Sequence, residues 1–135
     1  MNVVDASVLV DFVLGAGSEA ADELVGLFRV GSTTIAPDLV DTEVGQAIRR
    51  MVMNGQVAGP IAQLMLADLE ATPIRRYSAR TLVSRAFEFR HRLTVYDGVY
   101  LALAERLDAT LLTGDAALAR VPEADVEVRL LSTSA

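Results

Sequence analysis

Four carboxylates sit at places where a sheet edge could gather them. Asp5 ends the apolar run in Val3-Val4-Asp5-Ala6-Ser7, and Asp115 follows the apolar stretch Ala109 to Leu112 in Thr113-Gly114-Asp115. Glu43 falls in the second turn of a helix expected from Pro37, and Asp97 in the first turn of a helix expected from Thr94. In a doubly wound sheet the strand carboxyl ends and the following helix starts share one edge, where ligands bind. The four acids are therefore expected to converge from four separate segments. Carboxylates held close together raise one another's pKa unless a cation lies between them. A hard divalent ion resolves that repulsion, because Mg²⁺ or Mn²⁺ takes carboxylates, waters and a substrate phosphate and can activate water against a phosphodiester. Taken singly, each acid also has a purely structural role open to it: Asp5 and Asp115 as helix caps, Thr94-x-x-Asp97 as a capping box, Glu43 as the flank of an apolar stripe.

Other chemistries are removed by what the chain lacks. Its 135 residues include no cysteine, no tryptophan and one histidine, His91, and all 12 of its basic side chains are arginine. Without cysteine there is no disulfide framework, thiolate zinc site or thiol nucleophile. Without lysine there is no Schiff base, no P-loop lysine and no receiver-type or haloacid-dehalogenase-type phosphoacceptor. Carboxylate, hydroxyl and guanidinium remain, a set suited to hard, oxygen-ligated cations.

The elements that must position these groups follow from periodicity. Short apolar runs at Val3-Val4, Thr33 to Ile35, Thr72 to Ile74, Ala109 to Leu112 and Val126 to Leu130 are expected to be strands. Between them, helical spacing marks Ser7 to Leu14, a helix capped by Ser18 and running to Arg29, Pro37 to Asn54-Gly55, about Pro60 to Leu69, Arg80 to His91, and one from Thr94 through Leu107. Strand alternating with helix predicts an α/β sandwich built on a mostly parallel sheet of about five short strands. The length suits one domain over residues 1–135, with a frayed tail from Ser132 to Ala135. The N-terminus lacks the basic segment of a signal peptide, and the charge-free span Met51 to Ala67 is too polar and broken to cross a membrane, so a cytoplasmic protein is expected. Mean hydropathy of +0.36 fits either an Ala, Val and Leu rich core or apolar surface kept for a partner.

Charge is unevenly distributed. The formal net charge is −6, yet Arg75, Arg76, Arg80, Arg85, Arg90 and Arg92 face only Glu88 between positions 75 and 92. That basic segment could meet RNA phosphate or a partner, or be a solvated helix face with pairs such as Arg92 to Glu88.

The contexts quoted above, with Glu43 in Pro-Asp-Leu-Val-Asp-Thr-Glu-Val and Asp97 in Leu-Thr-Val-Tyr-Asp-Gly-Val-Tyr-Leu-Ala-Leu-Ala, resemble the PIN-domain ribonucleases, and among them the VapC toxins of VapBC toxin-antitoxin systems. The resemblance spans essentially the whole chain. It implies a Mg²⁺ or Mn²⁺ dependent endoribonuclease, one or two ions on Asp5, Glu43, Asp97 and Asp115, and Ser7 and Thr113 as supporting hydroxyls. It further implies cleavage by metal-activated water, a tRNA or rRNA substrate, a homodimer and inhibition by a VapB antitoxin. The alternative within this fold is a catalytically silent module that binds RNA or protein. Gly98 stands where the family commonly has alanine, which is expected to weaken the helix start slightly.

Several further residues invite assignment. Asp11, Asp38 and Asp41 neighbour the quartet in sequence. His91 is expected on the surface at a helix end, and Tyr77, Tyr96 and Tyr100 could stack RNA bases, although core packing is the better fit for Tyr100. Met51, Met53, Met65, Ile61, Leu64 and Leu69 suit either packing between two helices or a groove for an antitoxin helix.

Overall fold

The structure, a computed structural model, describes residues 1–134. Five strands, β1 (Asn2–Val4), β2 (Thr34–Pro37), β3 (Arg75–Tyr77), β4 (Thr110–Thr113) and β5 (Val128–Leu130), form one sheet in the order β3-β2-β1-β4-β5. All four pairings are parallel. Six α-helices flank it: α1 (Ala6–Leu14), α2 (Glu19–Arg29), α3 (Val40–Met53), α4 (Gly59–Ala71), α5 (Val83–Glu88) and α6 (Val95–Leu107). The expected α/β sandwich on a parallel five-stranded sheet is the fold observed. The chain lays β2 and β3 on one side of β1 and then β4 and β5 on the other. Strand order therefore reverses between β1 and β4, and in open α/β sheets ligands bind outside the carboxyl ends of the strands at such a reversal.

The core is aliphatic and lies on both faces of the sheet. Val3, Val4, Ile35, Leu111 and Leu112 are at most 1% exposed, as a doubly covered parallel sheet requires. Helix α6 is buried along seven consecutive residues, Gly98 to Ala104, because it lies between the sheet and α5; its apolar residues surround the helix axis and do not form one stripe. Gly98 is needed there. A Cβ at this position would stand 2.9 Å from the Ala86 carbonyl oxygen and 3.0 Å from the Ala86 Cβ. This corrects the expectation of a merely weaker helix start, since the glycine lets α5 and α6 approach.

Several boundaries differ from expectation for local reasons. Pro37 ends β2 and does not begin a helix; α3 starts at Val40, so Glu43 lies in its first turn. The third strand is Arg75–Tyr77, three residues beyond the apolar Thr72 to Ile74, and all three of its residues are exposed at the sheet edge. An edge strand carries little hydrophobic signal. The expected Arg80 to His91 helix is a 3₁₀ turn (Ala79–Leu82) followed by the short α5, and a second 3₁₀ turn (Ala116–Ala119) follows Asp115. The tail is not frayed where it is described: Ser132 N–H donates to Glu19 Oε1 at 3.0 Å, and Ser134 donates its N–H and its hydroxyl to Asp11, both at 2.8 Å. Ala135 lies outside the described residues. Among those residues no helix is long and apolar enough to cross a membrane.

Candidate active site

Asp5 and Asp115 come from the two strands that flank the reversal. Asp5 directly follows β1 and caps α1, accepting from the N–H groups of Ser7 (3.1 Å) and Val8 (3.4 Å). Two hydroxyls close on the same carboxylate: Ser7 donates to Oδ1, and Thr113, at the end of β4, donates to Oδ2. Each hydroxyl also accepts a hydrogen bond from the loop after β4. Gly114 N–H reaches Ser7 Oγ at 3.0 Å and Asp115 N–H reaches Thr113 Oγ1 at 2.9 Å. The Asp115 loop is thus tied to Asp5 through two side chains. Asp115 in turn caps the following 3₁₀ turn through Ala117 N–H at 2.9 Å.

Glu43 and Asp97 approach from the helices. Glu43 is half-buried and accepts a 2.6 Å hydrogen bond from the hydroxyl of Tyr100, one turn along α6 from Asp97. Thr94 caps α6 by accepting from Asp97 N–H at 3.2 Å. The cap roles foreseen for Asp5, Asp115 and Thr94 are therefore real, and they fix the carboxylates in place.

Electrostatics shows that the four acids share one region. Burial raises the Asp5 carboxyl above the usual aspartate range, against the lowering effect of its four hydrogen bonds. Burial also raises Glu43, with the Tyr100 hydrogen bond opposing it and the charges of Asp97 and Asp5 adding to the rise. Asp97 is raised by burial and then by the charge of Asp115. The Tyr100 hydroxyl is pushed far up by burial and by its carboxylate neighbour, so it remains a donor.

Among the described residues no three His, Cys, Asp or Glu side chains are drawn together as a ready-made metal cage. Mg²⁺ does not need one. It keeps several waters and binds through one or two carboxylates together with substrate phosphate. The donors here are all oxygen, and Glu43 and Asp97, each raised in part by a neighbouring carboxylate, gain from a cation between them. On donor chemistry the residues fit a hard divalent ion.

The neighbouring acids have other duties. Both Asp11 oxygens accept from Ser134, Asp38 accepts from Ala79 N–H, and Asp41 is held by Arg76. Most of the basic segment is likewise engaged. Arg76 grips Asp41 through two nitrogens at 3.0 and 2.8 Å. Arg85 grips Glu105 at 2.7 and 3.0 Å, takes Glu88 at 2.9 Å and stacks on Phe89. Glu88 pairs with Arg85 and not, as expected, with Arg92, which pairs with Glu123 at 2.9 Å. Arg90 lies over Phe87. Arg75 and Arg80 carry exposed guanidinium groups outside any ion pair among the described residues. Tyr100 is 1% exposed and cannot stack a base, whereas Tyr77 and Tyr96 are exposed. Met65 and Leu69 pack in the core, while Met53, Ile61 and Leu64 face outward.

Two features of the site escaped the sequence. Tyr100 was legible only as a core residue, because its partner is 57 positions away. A cavity of about 290 Å³ beside the carboxylates, lined by Ser7, Val10, Asp11, Glu43, Arg50 and Thr133 among others, includes an arginine and a tail residue that no motif marked. The spacing of Glu43, Ala47 and Arg50 at i, i+4, i+7 was the available signal.

Known proteins resemble this chain in sequence and in fold. Residues 3–124 match the PIN domain family. The chain is 39% identical over 130 residues to Ribonuclease VapC1 of Mycobacterium tuberculosis, covering 96% of each, and 33% identical over 132 residues to Ribonuclease VapC12 of the same species, covering 98% of this chain and all of that one. Among solved structures it resembles VapBC2 from Rickettsia felis bound to a promoter DNA fragment, with a TM-score of 0.67 at 12% identity over 97% and 98% of the two chains. It also resembles PAE2754 from Pyrobaculum aerophilum, with a TM-score of 0.68 at 21% identity over 94% and 81%. With a family match over residues 3–124 and relatives at 39% and 33% identity over nearly the whole chain, the chain belongs to the PIN-domain family, as a VapC-like member.

Proposed function

We propose that this chain is a divalent-metal-dependent endoribonuclease, the toxin of a type II toxin-antitoxin pair. The observation that carries this reading is the placement of Asp5, Glu43, Asp97 and Asp115 at the carboxyl edge of a parallel sheet, where burial raises Asp5, Glu43 and Asp97, the charges of Asp97 and Asp5 add to the rise at Glu43, and that of Asp115 adds to the rise at Asp97. The ribonuclease names of its relatives and the VapBC complex among its structural neighbours support the assignment. The four carboxylates hold Mg²⁺ or Mn²⁺, one ion or two, which supplies Lewis acidity toward water and toward a phosphodiester oxygen. Ser7 and Thr113 orient Asp5 by donating to its two oxygens, and Tyr100 fixes one oxygen of Glu43. Held in this way, Asp5 and Glu43 would present fixed carboxylates to an ion, and the orienting hydroxyls would tune its binding.

The substrate is RNA of the tRNA or rRNA class, the partner a VapB-type antitoxin, and the protein a single-domain cytoplasmic homodimer. The test is incubation of the purified chain with total RNA in Mg²⁺ and in excess EDTA, alongside Asp5→Ala and Asp97→Ala. Cleavage confined to the metal-containing wild type is expected. Full cleavage in EDTA or in either variant overturns the reading, and absence of cleavage in every arm favours the silent RNA- or protein-binding module.

A further inference from the structure

The cavity beside the carboxylates has one cationic wall. Helix α1 contributes Ala6, Ser7, Val10 and Asp11, helix α3 contributes Glu43, Ala47 and Arg50, and the tail contributes Thr133. Arg50 is exposed and makes no ion pair among the described residues, although the same cavity is lined by two carboxylates. Four other arginines, Arg76, Arg85, Arg92 and Arg129, are neutralised by acidic partners within the chain. Asp11, the natural candidate to pair with Arg50, instead spends both oxygens on Ser134.

Resting on the nuclease reading above, we propose that Arg50 grips an RNA phosphate next to the scissile one. Seven residues place Arg50 two turns after Glu43 on the same helix face, about 10 Å along the axis, and its side chain tilts back toward the helix N-terminus and the site. Two anion-binding points this close suit a polymer that carries a charge at every nucleotide. A guanidinium binds phosphate through a planar pair of donors, and here it sets a positive charge in the wall of a cavity also lined by Glu43, in a protein of net charge −6. The Ala6, Val10 and Ala47 side chains leave an apolar wall beside it, against which a ribose or base edge can lie.

Binding is measured by fluorescence anisotropy with a short single-stranded oligoribonucleotide in Mg²⁺, in an Asp97→Asn background so that the RNA stays intact, over a range of salt. Arg50→Ala is expected to weaken binding about tenfold or more and to reduce the slope of log affinity against log salt by about 0.7, the loss of one phosphate contact on a single strand. Arg50→Lys restores the slope but only part of the affinity. Arg49→Ala, the same charge change one residue away, leaves the slope unchanged. In the wild-type background Arg50→Ala raises KM for the oligonucleotide and leaves kcat within about twofold. Equal slopes for Arg50→Ala and its parent overturn the proposal, as does an Arg50 effect confined to binding of an acidic partner peptide. If the wild type cuts no RNA while the Arg50 slope change persists, the nuclease reading falls and the phosphate contact stands.

Discussion

Tyr100, buried in the middle of α6, donates its hydroxyl hydrogen to Glu43 Oε1 on α3 at 2.6 Å. The bond joins the helix that carries Asp97 to the helix that carries Glu43, and it opposes the rise that burial imposes on the Glu43 carboxyl. Tyr100→Phe keeps the packed ring and removes only the donor. Glu43 should then titrate higher and orient less firmly. The Mg²⁺ concentration giving half-maximal cleavage is expected to rise about 10- to 100-fold, with a stability loss of about 1 kcal/mol. Metal titration of the activity, set beside a denaturant melt, checks both; an unchanged metal requirement removes Tyr100 from the site.

Acidification should stabilise the metal-free protein. Asp5, Glu43 and Asp97 have folded pKa values above the ordinary 3.8 of aspartate and 4.5 of glutamate. Between its ordinary and its raised value, each group binds more protons folded than unfolded. The stability it contributes is fully present below the ordinary value and is lost as pH rises through the folded one. Glu105 and Glu123 are lowered by Arg85 and Arg92 respectively, so their contribution is lost only as pH falls below about the ordinary glutamate value. In EDTA, these three carboxyls are therefore expected to raise Tm as pH falls through their raised values toward the ordinary carboxylate range. Mg²⁺ should flatten that rise, and Asp97→Asn should reduce it. A flat profile in EDTA shows that the carboxylates do not burden the fold.

The placement of the four candidate carboxylates could be read from local sequence because each is tied to a chain event: a strand end, a cap or a first helical turn. The same held for the sheet, whose inner strands β1, β2 and β4 are apolar on both faces. Legibility failed where partners are distant in sequence or the signal is polar. Edge strand β3 is Arg-Arg-Tyr and exposed throughout, so an apolar search stopped at Ile74. The arginine cluster looked like one basic surface, but Glu105 and Glu123, from beyond position 100, neutralise Arg85 and Arg92. Tail fixation by Asp11 spans 123 positions and leaves no local trace.

Arg85 is expected to behave as a structural brace. Its side chain joins Glu88, Glu105 and the Glu123 carbonyl and lies 4.6 Å from the centre of the Phe89 ring. Arg85→Ala leaves a partly buried Glu105 carboxylate with fewer donors and unpins the loop around Glu123, so a loss on the order of 1–2 kcal/mol is expected. The affinity for single-stranded RNA and its salt slope should not move. A lower denaturation midpoint with an unchanged slope supports this; the reverse pattern returns Arg85 to the nucleic-acid surface.

Gly98→Ala sets helix propensity against packing. In an exposed helix the change would be favourable by about 1 kcal/mol. Here the added methyl would meet the Ala86 carbonyl oxygen at 2.9 Å and the Ala86 Cα at 3.1 Å, and backbone atoms cannot rotate aside as the end of a side chain can. Helix α5 must then move away from α6, taking with it the contacts made by Ala86 and Phe89, which are 0% and 2% exposed. Overpacking of this kind typically costs about 1–3 kcal/mol, which exceeds the propensity gain. A denaturation midpoint below the wild type is expected. Because Asp97 adjoins Gly98 and Tyr100 lies one half-turn further, the shift should also lower kcat more than it raises KM for RNA. Pairing the variant with Ala86→Gly, which removes the opposing Cβ but leaves the carbonyl, should recover only part of the loss. Full recovery would place the conflict at the Ala86 side chain, and a stabilised Gly98→Ala would show that α5 and α6 have room to spare.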